Sequence, residues 1–456
     1  MKWILNYLAV ISLSVILGLS CASVFAKSDN QKSYKAILEK YIPADGPGVA
    51  VILSQKGKVL YQGARGLANI EHNIPLSTDS VFRLGSITKQ FTAAAIMMLQ
   101  EQNKLNVNDD IHKYIADFPT EGNKVTIKNL LTHTSGIANY TEDEELFAKE
   151  IRVPTSLDQM LIRFAKHKMV LKTGEAMRYS NTGYVLLGKI IEVASGQPYS
   201  DFIEQNIFKK LGMKSSRYGG SQIIPLRASG YDMGTEGVVN ASYIDMMWPH
   251  AAGSLLSTVK DMDIWFKALR TEKLLSKASY HQMVSPFKLN DGSMSDYGYG
   301  LGLRKFNKYD SISHNGGIPG FATNAFYLPT EDLYVAVLSN SSSGNSGLIS
   351  NLMAAEALDI SLPDFEAVEL NEDKIKPLIG SYKINNDSVR HLLMENGKVY
   401  TQRDGGDKYE VIPMSDNSFY YDNSLTYIVF EANENGSQVM NFYTDLALEP
   451  QQAIKQ

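Results

Sequence analysis

The sequence predicts an α+β protein: a three-layer sandwich of an antiparallel sheet with helices and an α-rich insertion, followed by a small all-β C-terminal domain. Three observations carry this. Strand-like runs lie near the start (48–54 and 58–66) and return at 297–303, 321–328 and 333–339. The intervening stretch, about residues 105–285, has helical patterning broken by loops. Beyond residue 380, short strand-like runs alternate with turns at Asn396-Gly397 and Asn435-Gly436. Strands at both ends enclosing helices suggest layers around one sheet, and Asn-Gly between apolar runs is a strong local hairpin signal.

The elements follow in order. The first 26 residues have Lys2 near the start, an almost wholly apolar run from Ile4 to Leu19, and Val24-Phe25-Ala26 with small residues at −3 and −1. This reads as a secretory signal peptide cleaved after Ala26. The protein is therefore expected to be exported, periplasmic or secreted, with no stable membrane span after cleavage. An uncleaved anchor is the alternative. Lipidation of Cys21 is another, disfavoured because Gly18 stands where such sites usually want Leu. Cleavage would remove Cys21, the chain's one cysteine, so no disulfide is needed in an oxidising compartment.

After the signal, 32–41 reads as a helix, and Gln55-Lys56-Gly57 turns the first hairpin. From Ser86 the apolar positions Ile87, Phe91, Ala94, Ala95, Met98 and Leu99 recur at helical spacing, so Ser86 is expected to open a buried helix. Further helices are expected within 126–133, 157–167 and 184–194, the last closed by Gly196, with a final one over 346–358. The expected domains are 27–362, the layered α+β domain, and 363–456, a linker and small antiparallel β domain centred on 380–445.

Composition bounds the function. The formal net charge of −5 becomes −6 when Lys2 is removed, without long runs of either sign, which argues against nucleic acid as a partner. The eight histidines show no His-Glu-x-x-His spacing, and no cysteine cluster exists, so neither metal nor cofactor is expected.

What remains is serine, lysine and tyrosine chemistry. Ser-x-x-Lys is a weak motif alone, and it also occurs at Ser257 and Ser285, where capping and turn readings are better. Only Ser86-Ile-Thr-Lys89 opens a long apolar helix, with Lys89 one turn on, its amine able to take the proton a serine must lose to become a nucleophile. Tyr179-Ser-Asn181 follows. One reading makes Asn181 or Thr182 a helix cap; the other has Tyr179 sharing a proton with Lys89 and Ser86, and Asn181 donating its amide to a substrate carbonyl.

Taken together and in this order, the two motifs resemble the penicillin-binding and class C β-lactamase superfamily, which includes D-alanyl-D-alanine carboxypeptidase-like serine hydrolases. The resemblance covers about residues 34–360 and includes Ala252-Gly253-Ser254-Leu255-Leu256-Ser257 and Tyr297-Gly298-Tyr299-Gly300. It implies a β-lactamase/transpeptidase-like sandwich and a third motif on a strand edge, usually Lys-Thr-Gly and a small residue. Lys172-Thr173-Gly174 has the letters but precedes Tyr179; His314-Asn315-Gly316-Gly317 occupies the matching place. His133-Thr134-Ser135-Gly136 is read as a loop away from the chemistry.

By the resemblance, Ser86 attacks, Lys89 and Tyr179 manage its proton, and the N–H groups of Ser86 and Gly317 form the oxyanion hole. With His314 in place of lysine and Asn315 in place of threonine, carboxylate recognition is expected to weaken, the imidazole being only partly charged. The expected function is acyl transfer to water on a small-molecule or peptide substrate: D-amino-acid peptides (including peptidoglycan-derived ones), β-lactams or acyl esters. An esterase unrelated to the cell wall and a silent peptidoglycan-binding protein are the alternatives.

Overall fold

Alternation along the strands divides the protein into layers. In the computed structural model, which describes residues 31–385, 388–422, 424–444 and 446–456, six strands form one antiparallel sheet. Their spatial order is Gly302–Phe306, Tyr309–Ile318, Phe321–Leu328, Leu333–Ser339, Val49–Gln55 and Lys58–Arg65. Strand side chains point alternately to the two faces. Ala50, Ile52, Ala325, Ala336 and Leu338 enter one apolar cluster, with the helices Thr88–Glu101, Asn181–Ser195 and Val259–Arg270. Val49, Val51, Leu53, Val335 and Val337 enter the other, with the helix over 31–41 and Ser346–Ala357. Leu333–Ser339 is buried along its whole length, as a strand covered on both faces must be. The result is the expected three-layer sandwich.

Local chemistry explains the element ends. The Thr126 and Asn129 pair forms a reciprocal capping box for Ile127–Leu131, and Ser156 with Gln159 does the same for Leu157–Phe164. Gly196 closes Asn181–Ser195 in the left-handed conformation, φ 72°. Thr258 caps Val259–Arg270 by accepting from Asp261 N, so the Ser257 motif is a helix start, and Ser285 bonds back to the His281 carbonyl in a turn.

The C-terminal part is a closed eight-stranded antiparallel barrel running from Gly380 to Lys455. It extends past the expected limit of 445, because Gln451–Lys455 pairs with both Gln438–Tyr443 and Gly380–Asn385 and closes the barrel. Tyr382, Leu392, Phe419, Phe430 and Met440 fill it. Leu425 and Leu446 instead join the cluster behind the main sheet, against the Ser346–Ala357 layer.

Three local expectations shift. Tyr297–Leu303 becomes an isolated bridge at Tyr297 and a strand starting at Gly302. Tyr309–Ile318, a ten-residue strand, carries the third motif within its length. Ser86 sits in a 3-10 turn, Gly85–Ile87, with the α-helix starting at Thr88. The signal segment with Cys21 lies outside the described residues. Among the described residues no helix is long and apolar enough to cross a membrane.

Candidate active site

The 3-10 turn presents Ser86 between the helix it opens and the third-motif strand. Gly85 is in the left-handed region at φ 54°, and a Cβ there would lie 2.9 Å from Gly317 N, so both conformation and space demand glycine. Gly316 is under the same constraint from the other side: a Cβ would stand 2.0 Å from the Leu84 carbonyl oxygen and 2.4 Å from Thr323 Oγ1. Thr323 Oγ1 donates to that same carbonyl at 2.8 Å, and Leu84 N donates to Leu255 O at 2.9 Å. The residues just before the serine are thus clamped between two strands. Gly316→Ala is expected to cost about 1–3 kcal/mol of stability or more and to displace Ser86. Gly317→Ala, which meets open space, is the control and should melt as wild type in thermal denaturation.

Lys89 is fully buried, and its Nζ lies 3.1 Å from Ser86 Oγ, 2.8 Å from Asn181 Oδ1 and 2.9 Å from the Ala252 carbonyl oxygen. All three neighbours are neutral. The rings of Tyr179 and Tyr184 cover Nζ at 4.7 and 5.4 Å. Ring faces would return about 2 kcal/mol to a desolvated cation, whereas burying an ammonium costs several. Desolvation wins, and the Lys89 pKa is held well below the usual lysine value. A neutral amine has two N–H groups and one lone pair. Asn181 Oδ1 and the Ala252 carbonyl can only accept, so they take the two N–H bonds and leave the lone pair facing the Ser86 hydroxyl. Asn181 Nδ2 donates to Thr141 Oγ1 at 3.3 Å, which fixes the amide's orientation.

Burial raises the Tyr179 phenol above its ordinary pKa, and its hydrogen bond with Ser86 opposes that rise only in part. Ser180, not Asn181 or Thr182, caps the helix, its Oγ accepting from Gly183 N. Asn181 is therefore free of capping and turned to Lys89.

The predicted residues divide between two cavities. Ser86, Asn181 and Gly317 line one of about 610 Å³, walled by Tyr140, Phe147, Ile151, Ile244 and Phe321. Tyr179, His314, Asn315 and Gly316 line a second of about 390 Å³. Lys89 is buried at the back of the site. His314 is corrected on one point: it is not partly charged. It is 5% exposed, burial pushes its pKa down to about 3, and its Nε2 pairs with Tyr297 OH at 2.8 Å. The side chain standing where the family usually has lysine is neutral.

The loop at His133, expected away from the chemistry, instead packs against Tyr179. The His133 ring lies 4.2 Å from that of Tyr179 and its Nδ1 accepts from Ser180 N at 3.1 Å. Lys172 is exposed, and its neighbours are scaffold: Gly174 N donates to Thr134 O and Thr173 Oγ1 to Ser135 O, tying that turn to the His133 loop. The Ala252 carbonyl was also missed as a partner of Lys89. A backbone acceptor has no side-chain letter; its only signal was the small-residue run Ala252-Gly253-Ser254.

A profile of the Beta-lactamase family matches residues 38–358, which spans all six strands of the main sheet and both motifs. The chain belongs to the Beta-lactamase family. Penicillin-binding protein 4* of Bacillus subtilis (strain 168) is 30% identical over 423 residues, 87% of this chain and 92% of that protein. A D-aminopeptidase of Gluconobacter oxydans (strain 621H) is 25% identical over 331 residues, 71% of this chain and 62% of its own length. Among solved structures, the octameric penicillin-binding protein homologue from Pyrococcus abyssi superposes with a TM-score of 0.66 at 28% identity, covering 93% of this chain and 99% of that one. As a Beta-lactamase family member the protein is a hydrolase related to penicillin-binding proteins, in a family that acts on small substrates.

Proposed function

We propose that the protein is an exported serine hydrolase that transfers an acyl group to Ser86 and then to water, with D-aminoacyl amides, D-amino-acid peptides or short esters as substrates. The observation that carries this is the fully buried Lys89 amine 3.1 Å from Ser86 Oγ, with two acceptors as its other neighbours and its pKa held well below the usual lysine value by burial. In this reading the Ser86 proton moves to Lys89 Nζ as Oγ bonds to the substrate's carbonyl carbon. The N–H groups of Ser86 and Gly317 hold the oxyanion. Collapse breaks the bond to the leaving amine or alcohol, which takes a proton through Tyr179, and water repeats the sequence to release the acid and free Ser86.

Substrate class follows from charge. A neutral His314 offers no cation at the third motif, where the resemblance implies a penicillin's carboxylate is held, so β-lactams are expected to be the poorer substrates. The D-aminopeptidase relative supports D-aminoacyl substrates, and the apolar walls at Phe147, Ile151 and Phe321 suit a large apolar side chain. Comparing kcat/KM for D-phenylalaninamide, its L-enantiomer, a p-nitrophenyl ester and nitrocefin tests this. The D-amide or the ester is expected to lead, and His314→Lys to favour nitrocefin relative to the others. Nitrocefin as the best wild-type substrate, unimproved by that variant, would defeat the reading.

A further inference from the structure

The barrel carries a charge arrangement that the hydrolase chemistry does not use. On the strand Ser388–Glu395 the buried positions alternate, so Arg390 and Leu392 share the inner face. Leu392 stands opposite Thr401 and Arg390 directly opposite Arg403 in the antiparallel register. Two like charges in directly opposed positions destabilise a sheet. Arg390 adds a second cost: it is only 6% exposed, and among the described residues its Nη1 has no hydrogen-bond partner. Its guanidinium lies 3.5 Å from the centroid of the Phe442 ring, which covers one face of the group and leaves its edge for another partner. Burial lowers its pKa to about 10, so it is a cation at neutral pH, where Tyr421 beside it is a neutral phenol and Arg403 a second cation, with no carboxylate of the described residues among the groups acting on it. Arg403 Nη2 donates to the neutral Gln451 Oε1 at 3.0 Å.

These groups surround a cavity of about 640 Å³ at the barrel mouth, where Thr401 and Tyr421 share a 2.6 Å hydrogen bond and Tyr409 adds an aromatic wall. Asp407 and Asp422 stand at its exposed rim. Barrel mouths are recurrent small-molecule sites, and a guanidinium fork matches an oxyanion in two parallel bonds. We propose that this mouth is a second binding site, separate from Ser86, for the carboxylate or phosphate group of a small aromatic or apolar molecule, gripped by Arg390 and Arg403 beside Phe442.

The test is calorimetric titration of the full chain with benzoate, inorganic phosphate and neutral benzamide. Saturable binding of benzoate or phosphate, with none of benzamide, is expected, and the stronger of the two names the anion. Arg390→Gln and Arg403→Gln are each expected to weaken it by about tenfold or more, as loss of a charge-assisted hydrogen bond does. In buffer free of both anions, Arg390→Gln should melt no lower than wild type, because it removes an unpaired buried cation. Absence of saturable binding by either anion, affinity unchanged in both variants, or a lower melting point of Arg390→Gln in that buffer would each overturn the proposal. Failure of Arg390→Gln to fold in that buffer counts as a lower melting point.

Discussion

Ser86→Ala is expected to lose on the order of 10⁴-fold or more in kcat while the melting temperature stays close to that of wild type. The hydroxyl is the bond-forming atom in the proposed reaction, so nothing else in the site can replace it. Its removal is structurally mild because Ser86 is only half-buried and caps no helix: no side chain caps either the 3-10 turn or the helix starting at Thr88. Turnover at the wild-type rate in this variant would remove the mechanism.

Lys89 carries the second large effect. Lys89→Met keeps the length and apolar stem of the side chain but leaves no lone pair for the Ser86 proton, and a loss of about 10²–10⁴ in kcat is expected. Tyr179→Phe should fall in the same range. The double variant is expected to lose much less than the product of the two, since both side chains handle one proton. The pH profile gives the sign. A base works when unprotonated, so wild-type kcat/KM should rise with pH through the depressed Lys89 pKa and reach its plateau well below 10.5. Burial keeps the Tyr179 phenol protonated over that range. His314, with its pKa near 3, should leave no inflection around 6.5, and His314→Gln should preserve the shape of the profile. An inflection near 6.5 abolished by His314→Gln would mean that the imidazole titrates in the site after all.

How much of this was legible in the sequence depends on whether the controlling force is local. Phe321–Leu328 and Leu333–Ser339 were bounded correctly because Pro329 and the following polar residues break two strongly apolar runs. The nucleophile's helix was legible from its apolar spacing. Tyr309–Ile318 was not delimited, since Ser311, Ser313, Asn315 and two glycines have little strand preference. Pairing on both sides and the fit against Leu84 hold it extended. The charge state of His314 was misjudged for a related reason: its residue type fixes only the reference pKa, and burial against Tyr297 sets the rest. Ala252 and His133 reach Lys89 and Tyr179 through chain reversals that no local pattern encodes. Closure of the barrel at Gln451–Lys455 was hidden likewise, because a short last strand is stabilised only by its two distant neighbours.

Peptide-mapped mass spectrometry after exposure to a fluorophosphonate tests the acyl-serine account most directly. One adduct is expected, on the peptide containing Ser86, formed faster as pH rises and missing in Ser86→Ala. An adduct on Ser257, Ser285 or any other serine, or no adduct from protein that hydrolyses an ester in the same buffer, would contradict it.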